Sequence, residues 1–133
     1  MVIQHKLMIR HMEKGRNEYS LETLPILVER LHEMLKETKV LDLHGEMGSG
    51  KTTLVIELLK KMGVQDPEGS PTYSLINEYL LENGSKIYHI DAFRINSSDE
   101  AYELGLDELF EENAFFFVEW AEKIINFLPE RRI

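Results

Sequence analysis

The amino-acid sequence predicts a three-layer α/β fold in which a mixed sheet is flanked by helices. Stretches with helical apolar spacing alternate along the chain with short strand-like runs, and no stretch repeats another. A continuous apolar run at residues 114–118 is typical of a strand that is buried on both faces. A polar turn at residues 82–85 separates two strand-like segments, which predicts a hairpin in the same sheet. We expect a single domain over residues 1–133.

The N-terminal part of the chain predicts a strand, a polar turn and an amphipathic helix. Residues 6–12 are predicted as the strand and residues 13–19 as the turn. Thr23 is the best N-cap for the helix, because Pro25 then falls in the first turn, where its missing N–H costs little. The apolar residues at helical spacing are Leu24, Leu27, Val28, Leu31, Met34 and Leu35.

A strand, a loop and a second helix are predicted next. Residues 40–44 are predicted as the strand, and helical apolar spacing then continues to Met62, with Gly63 as the helix stop. Residues 66–71 consist mainly of turn-forming residue types and predict a loop.

The middle of the chain predicts a hairpin. Residues 72–80 combine alternating polarity with aromatic side chains, as strands do, and the chain returns through a second predicted strand at residues 87–91.

The last third of the chain predicts a helix, a strand and a short helix. Residues 98–110 are predicted as one helix, with Ser98 as its cap and Gly105 as a weak point inside it. The buried strand at 114–118 follows, and residues 121–128 are predicted as the final helix.

The composition limits the environment and the partners of the protein. The absence of cysteine excludes disulfides and thiol chemistry and fits a reducing cytoplasm. No apolar run approaches the roughly 20 residues of a membrane span, so we expect a cytoplasmic protein without membrane contact. The formal net charge of −9 disfavours autonomous nucleic-acid binding. The acidic residues within 99–112 form either a solvated helix face, which is the favoured interpretation, or a docking surface for a basic partner.

Residues 45–52 match the template G-x-x-x-x-G-K-[ST] at every fixed position and predict a phosphate-binding loop, the P-loop or Walker A motif. Its glycines allow backbone N–H groups to point at an anion. Lys51 is expected to reach the β and γ phosphates, and Thr52 to ligate Mg²⁺. The three-layer fold is therefore expected to be P-loop NTPase-like. The residues expected to contact the nucleotide are Gly45, Glu46, Met47, Gly48, Ser49, Gly50, Lys51, Thr52 and Thr53, and Trp120 is a further candidate for the nucleotide pocket.

Two acidic residues follow predicted strands. Hydrolysis of a nucleoside triphosphate needs an acid at the metal and a group that positions water. Glu119 follows the apolar run, as the acid of a Walker B strand does, and Asp91 ends the preceding strand. The carboxyl ends of parallel strands lie at the edge that carries the phosphate loop, so these two acids could share the work. Each alone could equally be an ordinary strand-end acid.

Four further residues carry weaker signals. Thr72 follows Ser-Pro in a loop, where switch segments sense a γ-phosphate, although an ST-turn would also explain it. Trp120 either packs as an anchor, which we favour, or lines the nucleotide pocket. His44 and His89 lie inside predicted strands and are interpreted as structural histidines rather than ligands.

Together these motifs resemble the TsaE (formerly YjeE) family of small bacterial ATPases, over about residues 20–129. The phosphate loop is common to many families, but the order of the other segments is far more specific. These segments are SPTYSLINEY at 70–79, YHIDAFR at 88–94, LGLDE at 104–108 and VEW at 118–120.

The resemblance implies a weak ATPase, with ATP and Mg²⁺ as cofactors, that is required to form N6-threonylcarbamoyladenosine at position 37 of tRNA. It implies TsaD and TsaB as protein partners, and contact with tRNA only indirectly or weakly. The resemblance makes Thr52 and Glu119 the metal ligands and Lys51 a phosphate ligand. The implied catalytic residues are Asp91, Glu119 and Thr72.

The chain departs from the family pattern at two places. Glu46 and Met47 stand where the family usually has Asp-Leu, which is a mild change. Family members often continue beyond the position of Pro129 with one or two more strands, whereas this sequence ends at Ile133. Either those closing strands are absent or the long N-terminal segment compensates for them, so one edge of the expected sheet is left open.

Two other functions fit the phosphate loop. One is a small-molecule kinase, although such kinases usually carry an acceptor pocket and an arginine-bearing lid, and Arg131 and Arg132 stand at the very end of this chain. The other is a nucleotide-dependent interaction module that does not hydrolyse its ligand.

Overall fold

The computed structural model describes residues 5–10, 14–19, 22–44, 50–68 and 75–133, with the backbone alone given for the first two ranges. Its elements follow in chain order: strands β1 (His5–Arg10) and β2 (Lys14–Tyr19), helix α1 (Leu24–Met34), strand β3 (Val40–His44), helix α2 (Lys51–Lys61), strands β4 (Ile76–Leu80) and β5 (Lys86–Asp91), helices α3 (Ser98–Glu103) and α4 (Leu106–Leu109), strand β6 (Phe115–Glu119) and the 3-10 helix η1 (Ala121–Phe127).

The strands form a mixed sheet of six, in the order β2-β1-β3-β6-β5-β4. The central strands β3, β6 and β5 are parallel. Strand β4 joins β5 as an antiparallel hairpin, and β1 pairs antiparallel with both β3 and β2. The predicted α/β class, with a mixed sheet between helices in a P-loop NTPase-like arrangement, is therefore confirmed.

Each face of the sheet carries its own hydrophobic core, because side chains alternate between the two faces along every strand. On one face, Leu41, Leu43 and Phe117 pack against α1 and α2. On the other face, Phe116 and Val118 pack against α3, α4 and η1. Strand β6 is thus buried on both sides, as its continuous apolar sequence predicts. Fully burying one large apolar side chain of this kind contributes about 1.5–3 kcal/mol.

The two long helices begin and end where the sequence predicts. Thr23 is the N-cap of α1 with proline in the first turn, although its side chain makes no capping hydrogen bond. Helix α2 ends at Lys61 with Met62 as its C-cap, and Gly63 follows with φ +108°, a conformation that glycine adopts without strain. The hairpin turn at 82–85 is also confirmed, since Leu81 N donates to Ser85 O at 2.8 Å.

The prediction of a polar turn over residues 13–19 is wrong, because Lys14–Tyr19 forms strand β2. Its backbone pairs with β1 along its full length, from Arg10 opposite Lys14 to His5 opposite Tyr19. Backbone pairing with β1 defines this strand. Its polar sequence lacks the apolar alternation by which strands are predicted. Of the predicted strand at 72–80, residues 76–80 form β4 and residues 72–74 lie outside the described part of the chain.

The predicted single helix at 98–110 is divided into α3 and α4 by Gly105, which takes φ +77°. The N-cap lies one residue earlier than predicted, because the Ser97 hydroxyl accepts a hydrogen bond from Glu100 N at 3.1 Å. The last predicted helix is a 3-10 helix with a kink at Ile124. In all three cases the backbone conformation or capping bond of one residue sets where the helix begins, breaks or kinks. The spacing of apolar residues carries no information about such local geometry.

Two further features complete the fold. Ile133 is buried, and its N–H and C=O bond to Val40 O and Asp42 N at 2.9 Å, so the chain runs beside β3 there. Among the residues that the structure describes, no helix is long and apolar enough to cross a membrane.

Candidate functional site

The predicted phosphate loop connects the end of β3 to the start of α2. Gly45, Glu46, Met47, Gly48 and Ser49 lie outside the described residues, as does Thr72, and their roles stay predictions. Gly50 is described and serves as the N-cap of α2 with φ +91°, a left-handed conformation that favours glycine. The last glycine of the motif is therefore the residue at which the chain turns into the helix.

The two strand-end acids lie side by side. Asp91 and Glu119 are paired residues of the parallel strands β5 and β6, and Leu43 of β3 occupies the same register position. Ala92 N donates to Glu119 O at 3.0 Å, and this hydrogen bond holds the carboxyl ends of β5 and β6 together. The carboxylates therefore share one sheet edge, the edge from which β3 enters the predicted phosphate loop.

Lys51 brings a cation to these acids from the first turn of α2. The residue is only 6% exposed, and its Nζ lies 4.2 Å from the centroid of the Trp120 ring. Burial lowers the pKa of Lys51, while the negative charges of Glu119, Glu122 and Asp91 oppose that shift. The first turn of α2 thus carries a cation whose position and electrostatics suit an anionic ligand.

Trp120 follows Glu119 in a left-handed conformation, with φ +57° and ψ 40°. Its ring lies 5.0 Å from the ring of Phe93, centroid to centroid, and is partly buried against the core on the α3 side. Lys123 Nζ lies 5.1 Å from the centroid of the Phe93 ring. The favoured packing interpretation agrees with these contacts, while contact with a nucleotide stays a prediction.

Asp91 is held by a turn at the end of β5. Its Oδ1 accepts a hydrogen bond from Phe93 N at 3.0 Å, and its own N–H donates to Leu75 O at 2.9 Å. Leu75 itself is left-handed, with φ +58°. The carboxylate is therefore oriented by one main-chain N–H of the turn that follows it, while the Asp91 backbone is held by Leu75.

His89, interpreted from the sequence as a structural histidine, lies next to the acids, and its contact with Glu119 was not predicted. Its Nε2 lies 2.7 Å from Glu119 Oε2, and both side chains are buried. The available signal was the alternation in the segment His89-Ile90-Asp91, since residues two apart on a strand share a face. That pattern places the histidine on the face of Asp91, next to the acids.

A separate polar cluster lies on the opposite face of β3. Asp42 is fully buried, and its Oδ2 accepts a hydrogen bond from Arg132 Nε at 3.0 Å. His44 Nε2 contacts Asp42 Oδ1, and His44 Nδ1 lies 3.4 Å from Glu122 Oε2. The cluster links β3, η1 and the segment after it, and it supports the strand that leads into the predicted loop.

The side chains present fit a Mg²⁺ ion held together with a nucleotide. Mg²⁺ usually binds one or two carboxylates, substrate phosphates and water, rather than a cage made only of protein groups. Asp91 and Glu119 carry hard carboxylate oxygens of the kind that Mg²⁺ prefers at one edge, and Thr52 lies in the first turn of α2 beside Lys51. Within residues 22–44, 50–68 and 75–133, no group of three or more His, Cys, Asp or Glu side chains is arranged to hold a metal ion alone.

The order of these features along the chain matches one protein family. The family model described as "Threonylcarbamoyl adenosine biosynthesis protein TsaE" matches residues 19–133, which include the predicted loop and both strand-end acids. The chain belongs to the TsaE family. The match begins at the end of β2, so β1 lies outside the part shared with the family model.

Individual TsaE relatives agree with the family match. The chain is similar to proteins named "tRNA threonylcarbamoyladenosine biosynthesis protein TsaE" from Haemophilus influenzae, with 38% identity over 68% of this chain and 57% of that protein. For the protein of the same name from Bacillus subtilis, identity is 38% over 74% of this chain and 60% of that protein. The Aquifex aeolicus protein is 36% identical over 73% of this chain and 68% of its own length. The matched region thus spans about six tenths of the first two relatives.

Proposed function

We propose that this chain is an ATP-hydrolysing subunit required for formation of N6-threonylcarbamoyladenosine at position 37 of tRNA, acting with TsaB and TsaD. Membership of the TsaE family supports the link to this modification. The observation that carries the enzymatic part of the proposal is the adjacency of Asp91 and Glu119 at the edge where Lys51 is buried. An acid pair and a cation at the end of a phosphate-loop strand are the groups that triphosphate hydrolysis requires.

Each residue has a distinct task in the proposed reaction. The Lys51 ammonium binds the β and γ phosphates and offsets the charge that develops on them during transfer to water. Thr52 and Glu119 would hold Mg²⁺, which would supply charge neutralisation at the phosphates. Asp91, whose carboxylate is fixed by Phe93 N, orients the attacking water or assists at the metal. Thr72 is proposed to sense the γ-phosphate as part of a switch segment.

The charge of the chain supports action through protein partners. A net charge of −9 repels a phosphate backbone, so tRNA would be contacted indirectly or weakly, with most of the contacts left to the partner proteins. In this scheme ATP turnover resets the complex between cycles of modification. TsaB, TsaD, ATP and Mg²⁺ are therefore all part of the proposal.

A small-molecule kinase is less well supported. Arg131 and Arg132 form ion pairs remote from Asp91 and Glu119. Arg132 pairs with Asp42 on the opposite face of the sheet, and Arg131 Nη2 lies 3.8 Å from Glu37 Oε2. A screen for phosphate transfer to nucleosides or small metabolites separates this function from hydrolysis. A non-hydrolysing module would instead bind its partners equally well with ATP and with a non-hydrolysable analogue.

The experiment that tests the proposal measures ATP hydrolysis with and without purified TsaB and TsaD. We expect the pair to activate the wild type, Lys51→Ala to lose tight ATP binding, and Glu119→Ala to bind ATP but lose turnover. Lys60→Ala is a matched control, because Lys60 lies on the same helix but is exposed. Unchanged hydrolysis in both site variants would refute the ATPase proposal, and indifference to TsaB and TsaD would refute the partnership.

A further inference from the structure

His89 and Glu119 form a buried contact directly beneath the edge that carries the acids. His89 Nε2 lies 2.7 Å from Glu119 Oε2, within the range of a charge-assisted hydrogen bond. His89 is fully buried and Glu119 is 4% exposed. Water therefore has little access to this pair, and the contact is electrostatically stronger than it would be at the surface.

Strand register explains why these two side chains meet. His89 and Asp91 are two residues apart on β5 and face the same side of the sheet. On β6, Phe117 is paired with His89, and Glu119 is paired with Asp91. The His89 ring therefore crosses diagonally to the neighbouring strand, where it reaches the carboxylate of the residue two positions beyond its own pairing partner. A histidine at this point contacts Glu119 from within the sheet.

The surroundings of the ring determine where its proton lies. The other ring nitrogen, Nδ1, is buried and makes no hydrogen bond in the part of the chain that the structure describes. The tautomer with its proton on Nε2 lets Nε2–H donate to the Glu119 carboxylate, whose oxygens accept. The tautomer with its proton on Nδ1 would instead turn the Nε2 lone pair toward that carboxylate, and its Nδ1–H would have no partner among the described residues.

We propose that His89 is a positioning residue whose Nε2–H fixes the rotation of the Glu119 carboxylate at the strand end. This inference rests on the proposed role of Glu119 in ATP turnover. A carboxylate has a broad, soft terminal torsion, so a donor at one oxygen restricts which direction the group presents to its ligand. Groups that hold a metal-binding carboxylate in this way typically change activity by about 10–100-fold when they are removed.

Kinetic variants test the positioning role. The amide nitrogen of a glutamine reaches roughly the place of His Nε2, whereas that of an asparagine matches Nδ1. We therefore expect H89L and H89N to lower kcat about 10–100-fold with KM for ATP changed by no more than about twofold, and H89Q to recover most of kcat. His32→Leu and His32→Gln are matched controls, because His32 lies on α1, outside the site.

A measurement on the unliganded wild type is independent of catalysis. Long-range proton–nitrogen NMR correlations report which nitrogen of each imidazole carries the proton, and the signals of His89 are assigned by their loss in H89Q. We expect the Nε2-protonated form, with its Nε2 signals shifted in Glu119→Gln. A proton on Nδ1 would overturn the inference even if H89L failed to fold.

The outcomes separate this inference from the proposed function. If Glu119→Ala loses turnover while H89N and H89L keep the wild-type kcat, only the role of His89 is refuted. If H89Q is as impaired as H89N, the donor at Nε2 is not what matters, and the inference fails in the same way. An active Glu119→Ala variant would overturn both. If H89L does not fold, the kcat values of H89Q and H89N alone decide whether a donor at the Nε2 position is required.

Discussion

Lys51 Nζ lies 4.2 Å from the centroid of the Trp120 ring, which places the motif lysine against the residue that follows the strand-end acid. A cation over an indole ring is stabilised by about 0.5–2 kcal/mol, depending on how far the pair is removed from water. The contact links the first turn of α2 to the end of β6. The contact gives the lysine a defined position, from which a nucleotide of the kind proposed would have to draw it.

Lys51→Met is expected to leave the unliganded protein at least as stable as the wild type at pH 7. Burial lowers the pKa of Lys51 in the folded chain, so the unfolded chain binds more protons between that lowered pKa and the unfolded value of about 10.4. The free energy of unfolding of the wild type should therefore rise with pH through that window, relative to the variant. Urea denaturation of both proteins at pH 7 and at about pH 10 measures the difference.

The control for this prediction is Lys60→Met. Lys60 is exposed and lies 3.3 Å from Glu57, a surface pair whose loss should change stability by no more than about 0.5 kcal/mol. A Lys51→Met variant that is less stable than the wild type by the same amount at every pH would mean that the acids and Trp120 outweigh the cost of burial.

Trp120 provides a test of backbone strain at the end of β6. A non-glycine residue with φ +57° is strained by roughly 1 kcal/mol, which the ring contacts with Lys51 and Phe93 offset. Both Trp120→Ala and Trp120→Gly remove those contacts, but only glycine accepts the conformation freely. We expect both variants to be less stable than the wild type and the glycine variant to exceed the alanine variant by about 1 kcal/mol in urea denaturation. Equal stability of the two variants would exclude strain at this position.

The sequence predicted the strand-end acids because their positions depend on local patterns. A strand that is buried on both faces reads as a continuous apolar run, and the first polar residue after that run marks the end of the strand. In β6 this residue is Glu119. Asp91 ends the strand β5, and parallel pairing of β5 with β6 then aligns the two carboxyl ends. The class of fold and one edge of the candidate site follow from these patterns.

The remaining features depend on pairing between distant segments. The His89–Glu119 contact joins residues 30 positions apart, and it requires β6 to lie next to β5, which periodicity does not report. Strand β2 exists because β1 pairs with it, and its own sequence lacks the expected alternation. At Gly105 the left-handed backbone overrides an apolar pattern that continues through it, so one predicted helix becomes two.

Asp91→Asn is expected to keep the fold and nucleotide binding while lowering turnover. The side-chain oxygen that accepts from Phe93 N at 3.0 Å is retained in asparagine, so the turn after β5 should persist. The negative charge is lost, and with it the proposed capacity to assist at the metal or to orient water, so we expect kcat to fall about 10²-fold or more. Steady-state ATPase assays with KM for ATP, together with circular dichroism, measure both effects.

The control for Asp91 is Asp99→Asn, an exposed acid in the first turn of α3, remote in sequence from both strand ends. Its kcat should match that of the wild type. If Asp91→Asn retained full turnover while Glu119→Ala lost it, Asp91 would be an ordinary turn residue, the alternative that its sequence position leaves open.

Arg132→Met is expected to destabilise the protein by about 2–4 kcal/mol in urea denaturation, because it removes the donor that lies 3.0 Å from the fully buried Asp42 carboxylate. The loss should fall below that of a completely buried pair, since the Arg132 side chain remains 16% exposed. Arg131→Met is the matched control: its side chain is 61% exposed, lies 3.8 Å from Glu37, and should cost no more than about 0.5 kcal/mol. Comparable losses in the two variants would show that the segment, rather than the Asp42 pair, provides the stability. A loss confined to Arg132→Met that disappears when Asp42 is also replaced by leucine would assign it to the buried charge.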